Sequence, residues 1–311
     1  FKGPLGVIPN SVRTMAHRPE IARAFTNLNI AVMRDTGTVT PEFKRLVGYV
    51  SSFASGCLYC QAHMILASER FGASEDRLND VFDFESDLRN PRKGGVEGAL
   101  LPPHLHRATL IASIALVVPF VLVLAWWGTV VSTGLLALSL FFVIAYSAKG
   151  LRFKEIPFLD SVTSSAHFVM PAVFGLALAG TSPSTTTVTL LAAFFLWGMA
   201  SHAFGAVQDV IADREAGLSS IATAIGAAGA VRFALAGYLA AGLVMLTTPQ
   251  PLPLIAPTVL LYIAAVAPWW RVSDDKAESA NRGWKWFLLL NFITGAVVFL
   301  VLFEWWAQQA S

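Results

Sequence analysis

The sequence predicts an all-α fold: a polytopic membrane bundle of about seven transmembrane helices, preceded by a small soluble all-α segment. Its composition is the first reason, since 55% of the 311 residues are hydrophobic and only 14% are charged, whereas soluble domains carry about 25% charged residues. The other two reasons are a series of long apolar stretches from residue 108 onward and a strict alternation of charged and uncharged loops between them.

Each apolar stretch has the length of a membrane-crossing helix. About 20 apolar residues in an α-helix span the hydrocarbon core of a bilayer. The breaks between stretches are short Gly/Pro/Ser/Thr turns or charged loops, which end helices. Seven stretches meet this criterion, at roughly residues 108–127, 129–147, 161–180, 186–204, 226–247, 253–270 and 286–303.

Loop charge predicts the orientation of the bundle. The 13 Lys and Arg residues from Arg89 onward fall in or beside every second loop, and the intervening turns have none. Basic loops stay on the cytoplasmic side of a membrane. We therefore expect a multi-pass protein of the cytoplasmic membrane, with the lipid bilayer as its partner. There is no basic run that would bind nucleic acid, and the oligomeric state stays open.

Two aspartate clusters lie on the predicted cytoplasmic side. The spacings i, i+3, i+7 and i, i+4 place the carboxylates of each cluster on one helix face. Such carboxylates repel one another unless cations neutralise them, and Mg²⁺ binds one or two carboxylates together with phosphate oxygens. The clusters are Asn79-Asp80-Val-Phe-Asp83-Phe-Glu-Ser-Asp87 and Asp209-Val-Ile-Ala-Asp213.

From Asn79 onward the chain resembles the UbiA family of intramembrane prenyltransferases. Besides the two aspartate motifs, the resemblance rests on Tyr146-Ser-Ala-Lys149-Gly-Leu-Arg152-Phe-Lys154. It implies that residues 79–311 form a UbiA-like domain that transfers a prenyl group from an allylic diphosphate to a hydrophobic acceptor. The sequence around Asn79 and around Arg152 resembles that of the lycopene elongase branch of the family, which implies a carotenoid acceptor such as lycopene.

The same chemistry assigns roles to the charged residues. Cleavage of an allylic diphosphate leaves a cation and a diphosphate anion, so the site must stabilise negative charge on the leaving group. Mg²⁺ held by carboxylates supplies that stabilisation, and basic side chains clamp the remaining oxygens. We expect one ion at Asp80, Asp83 and Asp87, a second at Asp209 and Asp213, and diphosphate contacts from Asn79, Lys149, Arg152 and Lys154.

Residues 1–78 are more polar and contain the only two cysteines. Cys57 and Cys60 form a Cys-x-x-Cys pair with His63 one turn later, an arrangement that gains thiolate character at a helix N-terminus. A pair of buried structural thiols is the other interpretation, and further metal ligands are not nearby.

The wider pattern of this segment resembles the alkylhydroperoxidase D-like/carboxymuconolactone decarboxylase family. Gly3-Pro4, Thr40-Pro41-Glu42 and Gly56 to His63 carry the resemblance. It implies that Cys60 attacks peroxide, Cys57 resolves the product as a disulfide and His63 joins a proton relay. Arg45 stands where that family usually has a glutamate.

The order of the two segments predicts an unusual join. UbiA-like enzymes have nine transmembrane helices, with the first aspartate motif at the end of the second, but no apolar span precedes Asn79. We therefore expect a chimera that lacks the first two helices and is joined near residues 76–87. The alternatives to a prenyltransferase are a membrane-anchored thiol peroxidase using Cys57 and Cys60, or an inactive chimera.

Four further residues receive an interpretation from sequence. His167 and His202 lie in apolar spans, and we interpret them as packing residues. Asp274 lies in a loop of mixed charge and is expected to be solvated, whereas Asp160 stays open between a structural and a functional role.

Overall fold

The computed structural model describes residues 18–20, 23, 24, 27, 30 and 103–310. Contacts divide the chain into two units, residues 1–110 and residues 111–311, and the membrane helices lie in the second unit apart from the start of the first helix. The eight α-helices of residues 103–310 are α1 (Pro103–Trp127), α2 (Val130–Ser147), α3 (Leu159–Leu178), α4 (Thr185–Val207), α5 (Val210–Ala216), α6 (Ile221–Met245), α7 (Thr258–Val266) and α8 (Asn281–Ala310).

This part of the chain contains helices and no strands, so the predicted all-α fold is confirmed. Four 3₁₀ segments join the helices: Phe153–Glu155, Leu252–Ile255, Ala267–Trp269 and Asp274–Ala280. Within the described residues, seven helical segments are long and apolar enough to cross a membrane. The chain is thus a multi-pass membrane protein, as its composition predicts.

The helices begin where the sequence provides capping hydroxyls. Thr129 and Ser132 form a reciprocal capping box at the start of α2, and Ser220 and Thr223 form another at the start of α6. A backbone N–H left without a partner in lipid costs several kcal/mol. The hydroxyls therefore fix these two helix starts at the positions observed.

Three spans differ from the sequence prediction. Helix α6 begins at Ile221, five residues before the predicted start, and bends at Gly226, where φ is +75° and ψ is 163°. The sixth span is α7 flanked by two 3₁₀ segments rather than one continuous helix. Helix α8 begins at Asn281 instead of residue 286. Hydropathy missed these starts because polar contacts set them: Ser220 caps α6, and Asn281 donates to Gln208 Oε1 over 2.8 Å.

The core lies between α4, α6, α7 and the first half of α8. Tyr238 and Tyr262 stack with ring centroids 5.3 Å apart, and Trp284 stacks on Phe287 at 4.6 Å. Phe204 is buried beside them. Because lipid is as apolar as these rings, close packing rather than transfer from water holds the helices together.

Gly283 is a tight helix contact in this core, and we predict that Gly283→Ala destabilises the bundle. A Cβ at this position would lie 2.6 Å from Trp269 Cζ3, 2.9 Å from Phe204 Cζ and 3.0 Å from the carbonyl oxygen of Ala265. Overpacking of this kind costs about 1–3 kcal/mol. The thermal unfolding midpoint in detergent should therefore fall.

The matched control for this substitution is Gly295→Ala in the same helix. A Cβ at Gly295 meets nothing within 4 Å, so alanine there should keep or raise the unfolding midpoint, since alanine favours helix. Equal midpoints for the two variants would contradict the packing argument.

Candidate active site

The second aspartate cluster lies at the end of α4, where the chain enters α5. The N–H of Asp213 donates to the carbonyl oxygen of Asp209 over 2.8 Å, so the two residues stand one helical turn apart, as their spacing predicts. Gly217 ends α5 in the left-handed region with φ of +72°. That reversal brings Ser220 back to the cluster, and its hydroxyl lies 3.4 Å from Asp213 Oδ2.

Lys154 is a basic side chain that approaches this cluster. It lies in the 3₁₀ turn Phe153–Glu155, between α2 and α3. Burial lowers the pKa of Lys154 to about 8, while the negative charges of Glu155 and Asp213 act in the opposite direction. The structure therefore brings together a lysine and an aspartate that are far apart in sequence, and both are predicted for the same site.

The other two predicted basic residues are placed differently. The Arg152 guanidinium forms an ion pair with Glu155, and the resulting hydrogen bond raises the pKa of Arg152. Arg152 itself adopts a left-handed backbone conformation with φ of +42°. Lys149 is exposed just beyond the end of α2. Of the three, Lys154 has the clearest electrostatic link to Asp213.

The remaining predicted site residues lie outside the described residues. These are the first cluster with Asn79, and the thiol motif with its histidine: Asn79, Asp80, Asp83, Asp87, Cys57, Cys60 and His63. Within the described part of the chain, no group of three or more His, Cys, Asp and Glu side chains could hold a metal ion. A site completed by both aspartate clusters therefore stays a prediction.

Sequence reasoning missed a polar network beside this site. His202 Nδ1 lies 3.1 Å from Ser161 Oγ, and His202 Nε2 lies 3.4 Å from Tyr146 Oη. The apolar neighbours of His202 in sequence favour a packing role, and that interpretation overlooks these two contacts. Tyr146 belongs to the Tyr146–Lys154 motif, so the sequence contains a signal for one member of this network. The three side chains lie on three different helices, and sequence patterns do not show that these helices bring them together.

Asp160, whose role the sequence leaves open, is a buried structural acceptor. Its side chain is 0% exposed. Oδ1 accepts the N–H of Ser161 and Oδ2 accepts the N–H of Ile221, each over 2.7 Å. The carboxylate thereby ties the start of α3 to the start of α6, next to the Ser220 that contacts Asp213.

Asp274 is not simply solvated, in contrast to the sequence interpretation. Its Oδ2 accepts a hydrogen bond from Arg214 over 2.6 Å, and its Oδ1 accepts the N–H of Ala227 over 2.7 Å. The Ala227 N–H follows the bend at Gly226 and needs a partner outside its own helix. Asp274 therefore stabilises the bend in α6 and holds Arg214 close to the end of α5.

An apolar cavity of about 940 Å³ opens between α3, α4, α6, α7 and α8. Its walls include Phe168, Phe194 and Trp197. Tyr262 and Asn291 supply polar atoms, and the tyrosine hydroxyl donates to the asparagine Oδ1 over 2.8 Å. The bundle thus combines a charged cluster at one end of α4 with a large apolar space along the same helix.

This combination agrees with the family that the chain matches. Residues 48–306 match the UbiA prenyltransferase family. The chain belongs to the UbiA prenyltransferase family. It is therefore a prenyltransferase-type transferase. The family match begins at residue 48, upstream of Asn79, the residue at which we predict that the membrane domain starts. That boundary stays a prediction.

Several carotenoid proteins are similar to this UbiA-family chain. A lycopene elongase/hydratase of Corynebacterium glutamicum is 53% identical over 225 residues, which cover 72% of this chain and 78% of that protein. The C(50) beta-cyclic carotenoids biosynthesis protein LbtBC of Dietzia sp. is 57% identical over 222 residues, covering 71% of this chain and 51% of that protein.

More distant relatives carry a similar name. A lycopene elongase/hydratase of Haloarcula japonica is 34% identical over 229 residues, covering 72% of each chain. No solved structure matches this UbiA-family chain. The resemblance of residues 1–78 to the alkylhydroperoxidase D-like family gains no support from these matches and stays a prediction.

Proposed function

We propose that this protein is a Mg²⁺-dependent intramembrane prenyltransferase that transfers a prenyl group from an allylic diphosphate to a carotenoid such as lycopene. The observation that carries the proposal is the approach of Lys154 to Asp213 beside Asp209, at the end of a membrane helix. The names of the relatives support a carotenoid acceptor, and the apolar lining of the cavity suits a polyene or prenyl chain.

The residues present suit a magnesium ion. Asp209 and Asp213 offer two carboxylates on one helix face, the number that Mg²⁺ usually takes from a protein when phosphate oxygens complete its shell. When bound, the ion would neutralise charge that develops on the diphosphate. Asp80, Asp83 and Asp87 are proposed to hold a second ion, with Asn79 on a diphosphate oxygen.

The chain's own cations serve the same leaving group. Lys154 is proposed to donate to a diphosphate oxygen, and Lys149 and Arg152 are proposed as additional contacts from the same loop. A cation aimed at the position where negative charge grows lowers the barrier to C–O cleavage. The half-buried position of Lys154 strengthens this effect because nearby water is reduced.

The proposed topology places both aspartate clusters on the cytoplasmic side of the cell membrane. The basic loops carry the Lys154 turn and the α4–α5 junction, and basic loops stay cytoplasmic. A charged diphosphate is solvated by water, whereas a carotenoid acceptor dissolves in lipid. A site at this boundary gives each substrate access from its own phase.

The direct test uses membranes that contain the full chain, radiolabelled dimethylallyl diphosphate, lycopene and Mg²⁺. We expect label in a carotenoid product, loss of labelling with a chelator and recovery with added Mg²⁺. A phenolic acceptor in place of lycopene is the matched control and should remain unlabelled. Label in no carotenoid, or labelling that survives chelation, would contradict the proposal.

Lys154 gives a pH prediction for the same assay. Its pKa is about 8, so the ammonium form is present below that value and is lost as the pH rises through it. Only the charged form attracts a diphosphate, and the bound anion in turn raises the pKa of Lys154. Between about pH 7 and pH 9, which is roughly 1 unit either side of that pKa, KM for the allylic diphosphate should therefore rise.

Lys154→Arg separates this effect from other titrations. Arginine keeps its charge over the whole interval, so the rise in KM should be absent in this variant, whereas Lys154→Met should show a high KM at every pH. An identical pH profile for the wild type and Lys154→Arg would show that another group titrates.

A further inference from the structure

Tyr146, His202 and Ser161 form a polar network between three membrane helices. Polar and ionisable side chains within membrane helices are costly and usually serve function. The imidazole has a hydroxyl near each nitrogen, with Ser161 on Nδ1 and Tyr146 on Nε2. Tyr146 and His202 are only half-buried, so this polar group is not sealed inside the packing of α2, α3 and α4.

Its location relates it to the aspartate cluster. His202 precedes Asp209 by seven residues, and Gln208 and Asp209 keep near-helical dihedrals. A spacing of i, i+7 returns to the same helix face about 10 Å further along the axis. On the other side, Lys154 Nζ lies 6.0 Å from the centroid of the Tyr146 ring. The network therefore lies on the membrane side of the residues proposed to hold the diphosphate.

Carotenoid prenylation releases a proton that some group must accept. The C–O bond breaks and the diphosphate leaves with its electron pair. The allylic cation then takes the π electrons of a terminal acceptor double bond to form a C–C bond. The resulting tertiary cation either loses a proton from a neighbouring carbon, forming a new double bond, or takes a water oxygen that then loses a proton.

We propose that His202 accepts this proton on Nε2, directly or through the Tyr146 hydroxyl. The inference rests on the proposed function. The required tautomer carries hydrogen on Nδ1, which donates to Ser161 Oγ, and Nε2 then accepts from Tyr146. In either route the imidazole becomes an imidazolium, and the proton leaves later to the diphosphate or to water.

Ser161 and Asp160 are positioning residues for the ring. Ser161 is 0% exposed, and its backbone N–H is held by the Asp160 carboxylate. This fixes the hydroxyl that orients the imidazole. The same carboxylate holds Ile221, which follows Ser220 and thereby connects the network to Asp213.

The test is the ratio of diphosphate released to prenylated carotenoid formed, with dimethylallyl diphosphate, lycopene and Mg²⁺. The wild type should give one product per diphosphate. In His202→Gln, carotenoid formation should fall about 100-fold, as loss of a general base predicts. Diphosphate release should persist, because a tertiary cation that cannot lose its proton breaks the new C–C bond and returns the allylic cation, which water then captures as a five-carbon alcohol with loss of a proton to solvent. In Ser161→Ala, carotenoid formation should fall about tenfold, which is the effect of losing one hydrogen bond.

Two controls separate catalysis from folding. His202→Gln should bind inorganic diphosphate with Mg²⁺ as the wild type does. His167→Gln replaces a second histidine of the membrane helices, on α3, which contacts the Tyr146 ring with centroids 5.1 Å apart, and should keep the one-to-one ratio.

Wild-type rates in His202→Gln would overturn the proposal, and so would an equal loss of both products, which indicates a structural role. Absence of any prenylated carotenoid with the wild type would instead overturn the proposed function, and this role with it.

Discussion

Asp213→Ala should reduce prenyl transfer about 100- to 1,000-fold, the effect of removing one preorganised group that stabilises transition-state charge. Asp213 is the member of the second cluster that acts electrostatically on Lys154, and it also receives the Ser220 hydroxyl. Its loss removes a proposed Mg²⁺ ligand and one of the negative charges near Lys154. Labelled carotenoid from dimethylallyl diphosphate and lycopene is the measurement.

Asp209→Ala should have a similar effect, because Asp209 stands one turn away on the same face. The matched control is Asp275→Ala, which removes an exposed carboxylate of the same charge from the 3₁₀ segment before α8 and should leave transfer unchanged. Mg²⁺-dependent diphosphate binding should disappear in the two site variants and persist in the control. Full transfer by Asp213→Ala would rule out the second cluster as the diphosphate site.

Asp160→Ala is expected to cause the largest loss of stability. The carboxylate is fully buried and accepts two backbone N–H groups, from Ser161 and Ile221. Removing the carboxylate leaves both N–H donors without this partner. Each buried donor left in this way lowers the free energy of unfolding by about 1–3 kcal/mol. The thermal unfolding midpoint in detergent should fall well below that of the wild type, and prenyl transfer should fall with it because Ser220 and Ser161 lose their anchor.

Asp160→Asn distinguishes the hydrogen bonds from the charge. Its amide keeps one acceptor oxygen and turns an NH₂ group toward the other donor, so its unfolding midpoint should lie between those of the wild type and Asp160→Ala. Asp275→Ala again serves as the exposed control and should melt like the wild type. An unchanged midpoint in Asp160→Ala would show that the tie between α3 and α6 adds nothing.

Local pattern is sufficient for the features that depend on neighbours in sequence. Hydropathy and loop charge predict the seven spans, because a helix in lipid must satisfy its backbone internally and needs a fixed number of apolar residues. The spacing of Asp209 and Asp213 predicts a shared helix face. The motif from Tyr146 to Lys154 points to the basic side chain that the structure brings to Asp213.

Features that depend on distant partners could not be predicted in this way. Asp160 and Ile221 are bonded although 61 residues separate them, and Arg214 and Asp274 are 60 residues apart. Hydropathy treats such aspartates as solvated or functional, because it has no information on a backbone donor from another helix. The same limit explains why the packing interpretation of His202 misses its two hydroxyl partners.

Composition and short-range spacing are enough to establish the class of this protein: a helical membrane bundle with acidic motifs and a nearby basic loop. These properties act within one helix or one loop, so they can be read from adjacent residues. Folding of the bundle is what selects the polar partners, namely Lys154 with Asp213, Asp160 with Ile221, and His202 with Tyr146 and Ser161. A polar atom inside a bundle takes the partner that helix packing presents to it, and that packing depends on every helix at once.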